Sequence, residues 1–392
     1  MSGEWAAVPL GEVITLQRGF DLPAQDRKLG KVPIVSSSGV SDYHSAVGVN
    51  GPGVVTGRCG TIGKVFLIKE DYWPLNTTLW VKDFHGNDPT FTSYLLRTVD
   101  FRSCSDKSSV PGVNRNDLHR IPVLRPPLAE QKAIAAVLGA LDDKIELNRR
   151  MNATLEAMAR ALFQSWFVDF DPVRAKLDGR QPAGLDPATA ALFPSALQKL
   201  PIGQTPKGWE VGRLDDVLVL QRGFDLPTPD RTNGKYPVMA ASGLNGCHDK
   251  FMVRGPGVTT GRSGVLGKVF FVHGDFWPLN TSLWVKEFKC VSPAYAFQLI
   301  RGLDFEAFNA GSAVPTLNRN HVHNLPVVIP PKEIIDAFDL QVMPWMEKQK
   351  ENENQSRTLA ALRDSLIPKL LTGELSVGQL SVGSRRAHER TR

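Results

Sequence analysis

Cysteine is scarce in this chain, four in 392 residues, and no C-x-x-C spacing occurs. Under the register of the internal repeat described below, Cys59 corresponds to Ser263, Cys104 to Phe308, Cys247 to Tyr43 and Cys290 to Gly86, so no cysteine recurs. Neither a duplicated zinc site nor a disulfide framework is supported. No uncharged apolar run reaches the roughly 18 residues that a membrane helix needs, and no basic-then-apolar leader opens the chain, so the expected compartment is the cytoplasm. Catalytic signatures are missing too. The Pro-Pro pairs are preceded by Arg125 and Ile329, which rules out the N-P-P-[YF] tetrapeptide of adenine methyltransferases. There is no G-x-S-x-G and no H-E-x-x-H. The expectation is a chain with no catalytic residue, no metal site and no cofactor of its own. Excess charge is small: a net +6 mildly favours an acidic partner such as nucleic acid and decides little alone.

What the sequence does hold is itself, twice. LQRGFDLP begins at Leu16 and at Leu220, GPGVVTGRCGTIGKVF at Gly51 returns as GPGVTTGRSGVLGKVF at Gly255, and WPLNTTLWVK at Trp73 returns as WPLNTSLWVK at Trp277, always 204 residues later. With 42% hydrophobic residues the chain can bury more than one core. Two near-equal domains imply two equivalent things to touch. Each copy reads as short β-type runs (Glu12 to Leu16, Val32 to Val35, Val54 to Thr56, Lys64 to Ile68, Thr78 to Lys82) and a helix over Pro89 to Val99, an α+β domain with long loops.

After Pro126-Pro127 the period changes. Ile134, Val137, Leu138, Leu141 and Ile145, then Leu155, Met158, Leu162 and Phe163, follow helical spacing from Ala129 to Val168. That stretch is about 40 residues, or roughly 60 Å at 1.5 Å per residue. The second copy answers after Pro330-Pro331 with Leu359, Leu362, Leu366, Leu370 and Leu371, and Pro344 predicts a short helix, a kink and then a long one. The simplest use of two such stripes is an antiparallel coiled coil that spaces the domains. The expected domains are therefore residues 1–127, a helix at 128–170, a Pro-rich connector at 171–208 that skirts the surface, a second domain at 209–331, a second helix at 332–373 and a basic, disordered tail at 374–392.

Repeated polar motifs are the candidate contacts. GRCGTIGK (57–64) has five residues, not four, between Gly57 and Gly63, and Val65 follows the lysine, so it is no nucleotide phosphate loop. It is either an ordinary hairpin or a bare backbone, with Arg58, Thr61 and Lys64, that approaches a phosphate chain, and likewise Arg262 and Lys268. In QRGFDLP, Phe20 is expected in the core; Arg18 and Arg222 either lie on DNA, since guanidinium suits guanine or phosphate, or, as for Arg18, form a structural ion pair, with DNA contact the preferred reading. Asn76, Thr77, Asn280 and Thr281 either contact DNA or fix a turn, and Trp73 and Trp80 are expected in the core. Asn114 and Asn318, ahead of Arg115 and Arg319, fit helix caps at least as well as base readers. The copies differ at Ser36 and Ser37 against Ala240 and Ala241, share the next serine as Ser38 and Ser242, and differ again around His44 and His248. With Lys107 and Lys250, these are the remaining candidate readout positions. Asp275 with Glu287 and Lys289 imitates a nuclease set, but the first copy lacks it.

The order domain, long helix, domain, long helix resembles the specificity subunit of type I restriction-modification systems. The resemblance rests on the Pro126-Pro127-x-x-Glu130-Gln131 entry, the Ile134 to Ile145 stripe with Asp142 or Asp143, the Leu155 to Phe167 end and the Gly208-Trp209 start of the second unit. It implies a non-catalytic subunit with two target recognition domains, each a mixed β-sheet with short helices, joined by two long antiparallel helices about a pseudo-two-fold axis. It implies as partners double-stranded DNA, two methyltransferase subunits that use S-adenosylmethionine, and restriction motor subunits. Glu130, Gln131, Ile134, Leu141, Ile145, Leu155, Leu162, Phe167, Leu359, Leu362, Leu366 and Leu370 are then the expected partner-binding positions. The second helix opens Pro331-Lys332-Glu333-Ile334 and departs from the Glu-Gln entry. Similar domains so arranged should read a near-palindromic, bipartite site. The alternatives are a stand-alone duplicated DNA-binding regulator and a duplicated nuclease.

Overall fold

The first apolar stretch of each repeat is not one strand. In the computed structural model, which describes residues 5–105, 112–305 and 315–378, Glu12 and Val13 end a helical turn and pairing starts only at Thr15. Leu10 and Val13 of that turn are fully buried, so the run follows burial rather than β alternation.

The chain divides into two units, residues 1–148 with 354–392, and residues 149–353. In chain order the first holds β1 (Ala6–Pro9), α1 (Leu10–Val13), β2 (Thr15–Arg18), β3 (Val32–Ser36), β4 (Gly39–His44), β5 (Gly53–Gly57), β6 (Val65–Ile68), β7 (Trp73–Pro74), β8 (Thr78–Asp83), α2 (Pro89–Arg97), α3 (Arg115–His119) and β9 (Pro122–Arg125). A four-stranded antiparallel sheet runs β2-β8-β5-β6, a three-stranded one runs β4-β3-β7 with β3 and β7 parallel, and β1 pairs with β9. Every residue of β5 is buried, as its place in the middle of the larger sheet requires.

The long helix α4 covers Leu128–Phe163 and closes in a π turn over Gln164–Val168. Beyond it the Pro-rich segment does not skirt the surface. It folds into α5 (Asp171–Leu177), α6 (Pro187–Leu192) and a hairpin of β10 (Leu197–Leu200) and β11 (Gly203–Pro206), and buries Val173 and Phe193 in the core of the second unit. Two of its prolines, Pro172 and Pro187, start these helices at N1 or N2, where no amide hydrogen is missed.

The second unit repeats the first: β12 (Glu210–Arg213), α7 (Leu214–Val217), β13 (Leu218–Arg222), β14 (Tyr236–Ala240), β15 (Gly243–His248), β16 (Gly257–Gly261), β17 (Val269–Val272), β18 (Trp277–Pro278), β19 (Ser282–Phe288), α8 (Pro293–Arg301), α9 (Arg319–His323) and β20 (Pro326–Ile329). Its sheets run β13-β19-β16-β17, β15-β14-β18 and β12-β20. The last helix, α10, covers Lys332–Leu371 without interruption through Pro344. The expected separate short helix is absent, since both segments form one helix. Proline deprives only the carbonyl four residues back, that of Leu340, and Leu340 is 79% exposed, so water can serve it.

The helical apolar stripes are used mainly at their ends. Ile134 and Leu138 join Ile367 and Leu370 in the core of the first unit, and Phe163, Trp166 and Phe167 join Ile334, Ile335 and Phe338 in that of the second. Midway, the helices meet through amides and run antiparallel. In the first unit Asn148, 1% exposed, donates to Gln355 (2.8 Å) and Ser356 (3.2 Å). In the second, Asn352, 3% exposed, donates to Asn152 (2.8 Å). Buried amides on a helical seam fix register at some cost in stability. Leu375 and Val377, at the start of the expected tail, pack on the first core; residues 379–392 lie outside the described ones.

Candidate nucleic-acid interface

Three repeated motifs, far apart in sequence, meet at one arginine in each unit. Arg58 follows β5 at the mouth of the β5–β6 hairpin. Its backbone N–H donates to Thr77 O (2.9 Å), its carbonyl accepts from Val113 N (2.8 Å), and its Nε donates to Asn76 O (3.1 Å). Arg262 repeats this with Thr281 O (2.9 Å), Leu317 N (2.8 Å) and Asn280 O (3.0 Å). The glycine-rich loop, the W-P-L-N turn and the N-R-N helix are thus one construction.

Glycine permits it. A Cβ on Gly57 would stand 1.8 Å from the carbonyl oxygen of Thr61, and one on Gly261 1.7 Å from that of Val265, so the loop can fold back only over a bare Cα. The QRGFD motif joins the same way: a Cβ on Gly19 would stand 2.2 Å from Leu75 O, and Phe20 N donates to Pro74 O (2.8 Å). Arg18 then pairs with Asp21 (3.1 Å), which also accepts from the Asn76 amide; Arg222 lies 3.8 Å from Asp225, which accepts from Asn280. Asp21 and Asp225 orient an arginine and an asparagine at once. The ion pair is the alternative that the sequence leaves open for Arg18, and the i, i+3 spacing of Asp21 and Asp225 from Arg18 and Arg222 is its signal.

The result is a cleft in each unit. Arg18, Arg58, Asn114 and Arg115 line the first with Cys59 and Gly112; Arg222, Arg262, Asn318 and Arg319 line the second with Thr316. Arg115 and Arg319 are exposed at the start of α3 and α9, and Asn114 and Asn318 cap these helices, accepting from the amides of residues 116 and 320 (2.9 and 3.0 Å). Each helix is fastened by a histidine acceptor: His119 Nε2 accepts from Leu16 N and His323 Nε2 from Leu220 N, both at 2.9 Å. Burial, then the charges of Arg115 and His85, push the His119 pKa down and keep it the neutral acceptor the bond needs. Burial is the largest cause of the same downward shift at His323.

Lys64 and Lys268 are exposed on the same hairpins, and Thr61 is half-buried. Thr77 supplies the carbonyl for Arg58, while Thr281 Oγ1 accepts from Ala241 N (3.4 Å). Ser36 and Ser38 bond each other (3.0 Å) in the β3–β4 turn with Ser37, and Ser242 and Lys250 are exposed. Two candidates are overturned. His44 and His248 are each 5% exposed, accept from the amides of Lys28 (2.9 Å) and Thr232 (3.2 Å), and stand edge-on to Trp73 and Trp277, so they hold the loop and do not face a ligand. Lys107 lies outside the described residues.

Along the helices, Gln131, Ile134, Phe167 and Leu370 are 6% exposed or less; they join helix to domain and leave nothing for a partner. Leu162 and Leu366 also pack on the two cores. Glu130, Leu141, Ile145, Leu155 and Leu359 are half-buried and Leu362 is exposed. Asp275 accepts from Gly255 N (3.1 Å), a structural use. Among the described residues no cluster of His, Cys, Asp or Glu could hold a metal ion, and no helix is long and apolar enough to cross a membrane.

A family model for the type I restriction modification DNA specificity domain matches residues 2–157 and again 206–356. The chain is 25% identical over 353 residues to the type I restriction enzyme MjaIX specificity subunit of Methanocaldococcus jannaschii, covering 81% of this chain and 76% of that one. To the HindI specificity subunit of Haemophilus influenzae it is 24% identical over 349 residues, covering 72% and 74%. The S subunit of a type I restriction-modification system from M. genitalium shares the fold, with a TM-score of 0.60 at 14% identity over 94% of this chain and 96% of that one. With the family's domain present twice, in register with the two arginine clefts, the chain belongs to the type I restriction-modification specificity subunits.

Proposed function

We propose that this chain is the non-catalytic DNA-recognition subunit of a type I restriction-modification complex, each unit reading one half of a bipartite, near-palindromic site through its arginine cleft. The observation that carries this is the recurrence, 204 residues apart, of the arginines at 18, 58 and 115 in one backbone lattice. Guanidinium groups suit both phosphate and guanine, and rigid placement is what sequence reading requires. The exposed faces of α4 and α10 carry two methyltransferase subunits, which bind S-adenosylmethionine and methylate adenine; restriction motor subunits join this assembly for cleavage. The working compartment is the cytoplasm, where the DNA is.

The test is modified-base sequencing of cells that express the cognate methyltransferase subunit with and without this chain. A bipartite methyladenine motif seen only with the chain supports the reading. Specific DNA binding by the chain alone, with no methyltransferase association, would favour a stand-alone regulator instead.

A further inference from the structure

The two clefts do not use their arginines alike, and the difference within a cleft is the same in both units. Arg58 and Arg262 are half-buried, fixed by three hydrogen bonds each, two of them backbone and one through Nε. Their terminal guanidinium nitrogens have no hydrogen-bond partner among the described residues. Arg115 and Arg319 are exposed, and their side chains have no such anchorage among the described residues. An arginine whose root and Nε are fixed presents its terminal pair at one place and angle, which bidentate recognition of a guanine edge demands. A mobile one serves as a point of phosphate attachment.

We infer that Arg58 and Arg262 are the specificity-determining arginines, that each reads a guanine, and that the two guanines hold equivalent positions in the two half-sites. This rests on the DNA-recognition reading above. Equivalence follows because the anchoring lattice is reproduced to within 0.1 Å at the Nε bond, 3.1 Å against 3.0 Å. Where the half-sites differ, the difference comes from the lining that differs: Gly112 against Thr316, and Val113 against Leu317.

The experiment uses the complete methyltransferase complex. Arg58→Lys and Arg262→Lys keep charge and most of the stem while losing Nε and the fork. Mapped methylation with Arg58→Lys should accept other bases at one guanine of one half, and with Arg262→Lys at the equivalent guanine of the other. Arg115→Ala should lower methylation without changing the motif. A second measurement needs no variant: replacing either guanine in an oligonucleotide should weaken binding of the wild-type complex about 5- to 150-fold, the usual worth of one bidentate base contact. Relaxation at non-equivalent positions, an unchanged motif, or equal binding of the substituted oligonucleotides would overturn the assignment. Absence of any methylated motif with the wild-type complex would instead remove the underlying reading.

Discussion

Gln131 offers the sharpest test of how recognition domain and helix are joined. It lies in the first turn of α4, 2% exposed. Its Nε2 donates to Asn87 Oδ1 (2.8 Å) and Pro126 O (2.9 Å), and its Oε1 accepts from Asp88 N (3.0 Å). The second unit solves the same problem without amides: Ile335 and Val291 occupy the corresponding places, at 2% and 8% exposed. Gln131→Ile would therefore be sterically tolerable yet leave two buried polar groups and one half-buried one unserved. Each such group costs about 1–3 kcal/mol, and added apolar burial returns roughly 1 kcal/mol, so the net loss should be about 2–8 kcal/mol. Asn87→Val alone should also destabilise, because Asn87 donates to Val13 O and Phe84 O (both 2.9 Å). In the second unit the equivalent Val217 O is served by Lys289 N (2.9 Å), which the longer β19 makes possible. The double variant should cost less than the sum by about 1–2 kcal/mol, since the orphaned Asn87 oxygen vanishes with its residue. Urea unfolding, with hydrogen exchange at α2 to localise the loss, measures all four corners of the cycle. A cost for Gln131→Ile below about 1 kcal/mol, or additivity within roughly 0.5 kcal/mol, would refute the argument.

Other outcomes are open to direct measurement. Burial opposes ionisation of Asp142, but hydrogen bonds from Tyr94 (2.6 Å) and Arg363 (2.5 Å) and the charge of Arg97 outweigh it and hold its carboxyl below the ordinary range. A depressed folded pKa gives stability above the unfolded value that disappears as pH falls through the folded one. Asp142→Asn should thus destabilise the first unit by about 1 kcal/mol at pH 7, after discount for partial exposure, and the gap to wild type should close below about pH 4, read from urea midpoints across pH. Gly57→Ala must displace the Thr61 carbonyl; a loss of about 1–3 kcal/mol, with binding at one half-site impaired, should appear in melting and oligonucleotide titrations. Arg115→Ala should lower the slope of log affinity against log salt by about 1, as fluorescence titration at several salt concentrations would show.

The duplication, the two long helices and the polar motifs could be read from the residues because each is a local pattern: identity at one offset, a helical period, glycine spacing. The sequence also placed Trp80 in the core, where it is 9% exposed, and named helix caps as a use for Asn114 and Asn318. What it could not supply was company. His44 was indistinguishable from a surface histidine until β4 brought it against Trp73 and the Lys28 amide. Gln131 resembled an exposed helix residue until the Asn87 turn covered it. Pro344 reads as the division between a short and a long helix because local rules ignore that Leu340, four residues before it, is exposed. The meeting of residues 18, 58, 76 and 115 at one cleft was decided only by tertiary structure. Hydrogen bonds between segments tens of residues apart depend on strand pairing and on bare glycine backbones in contact, and neither leaves a period or a spacing that one sequence displays.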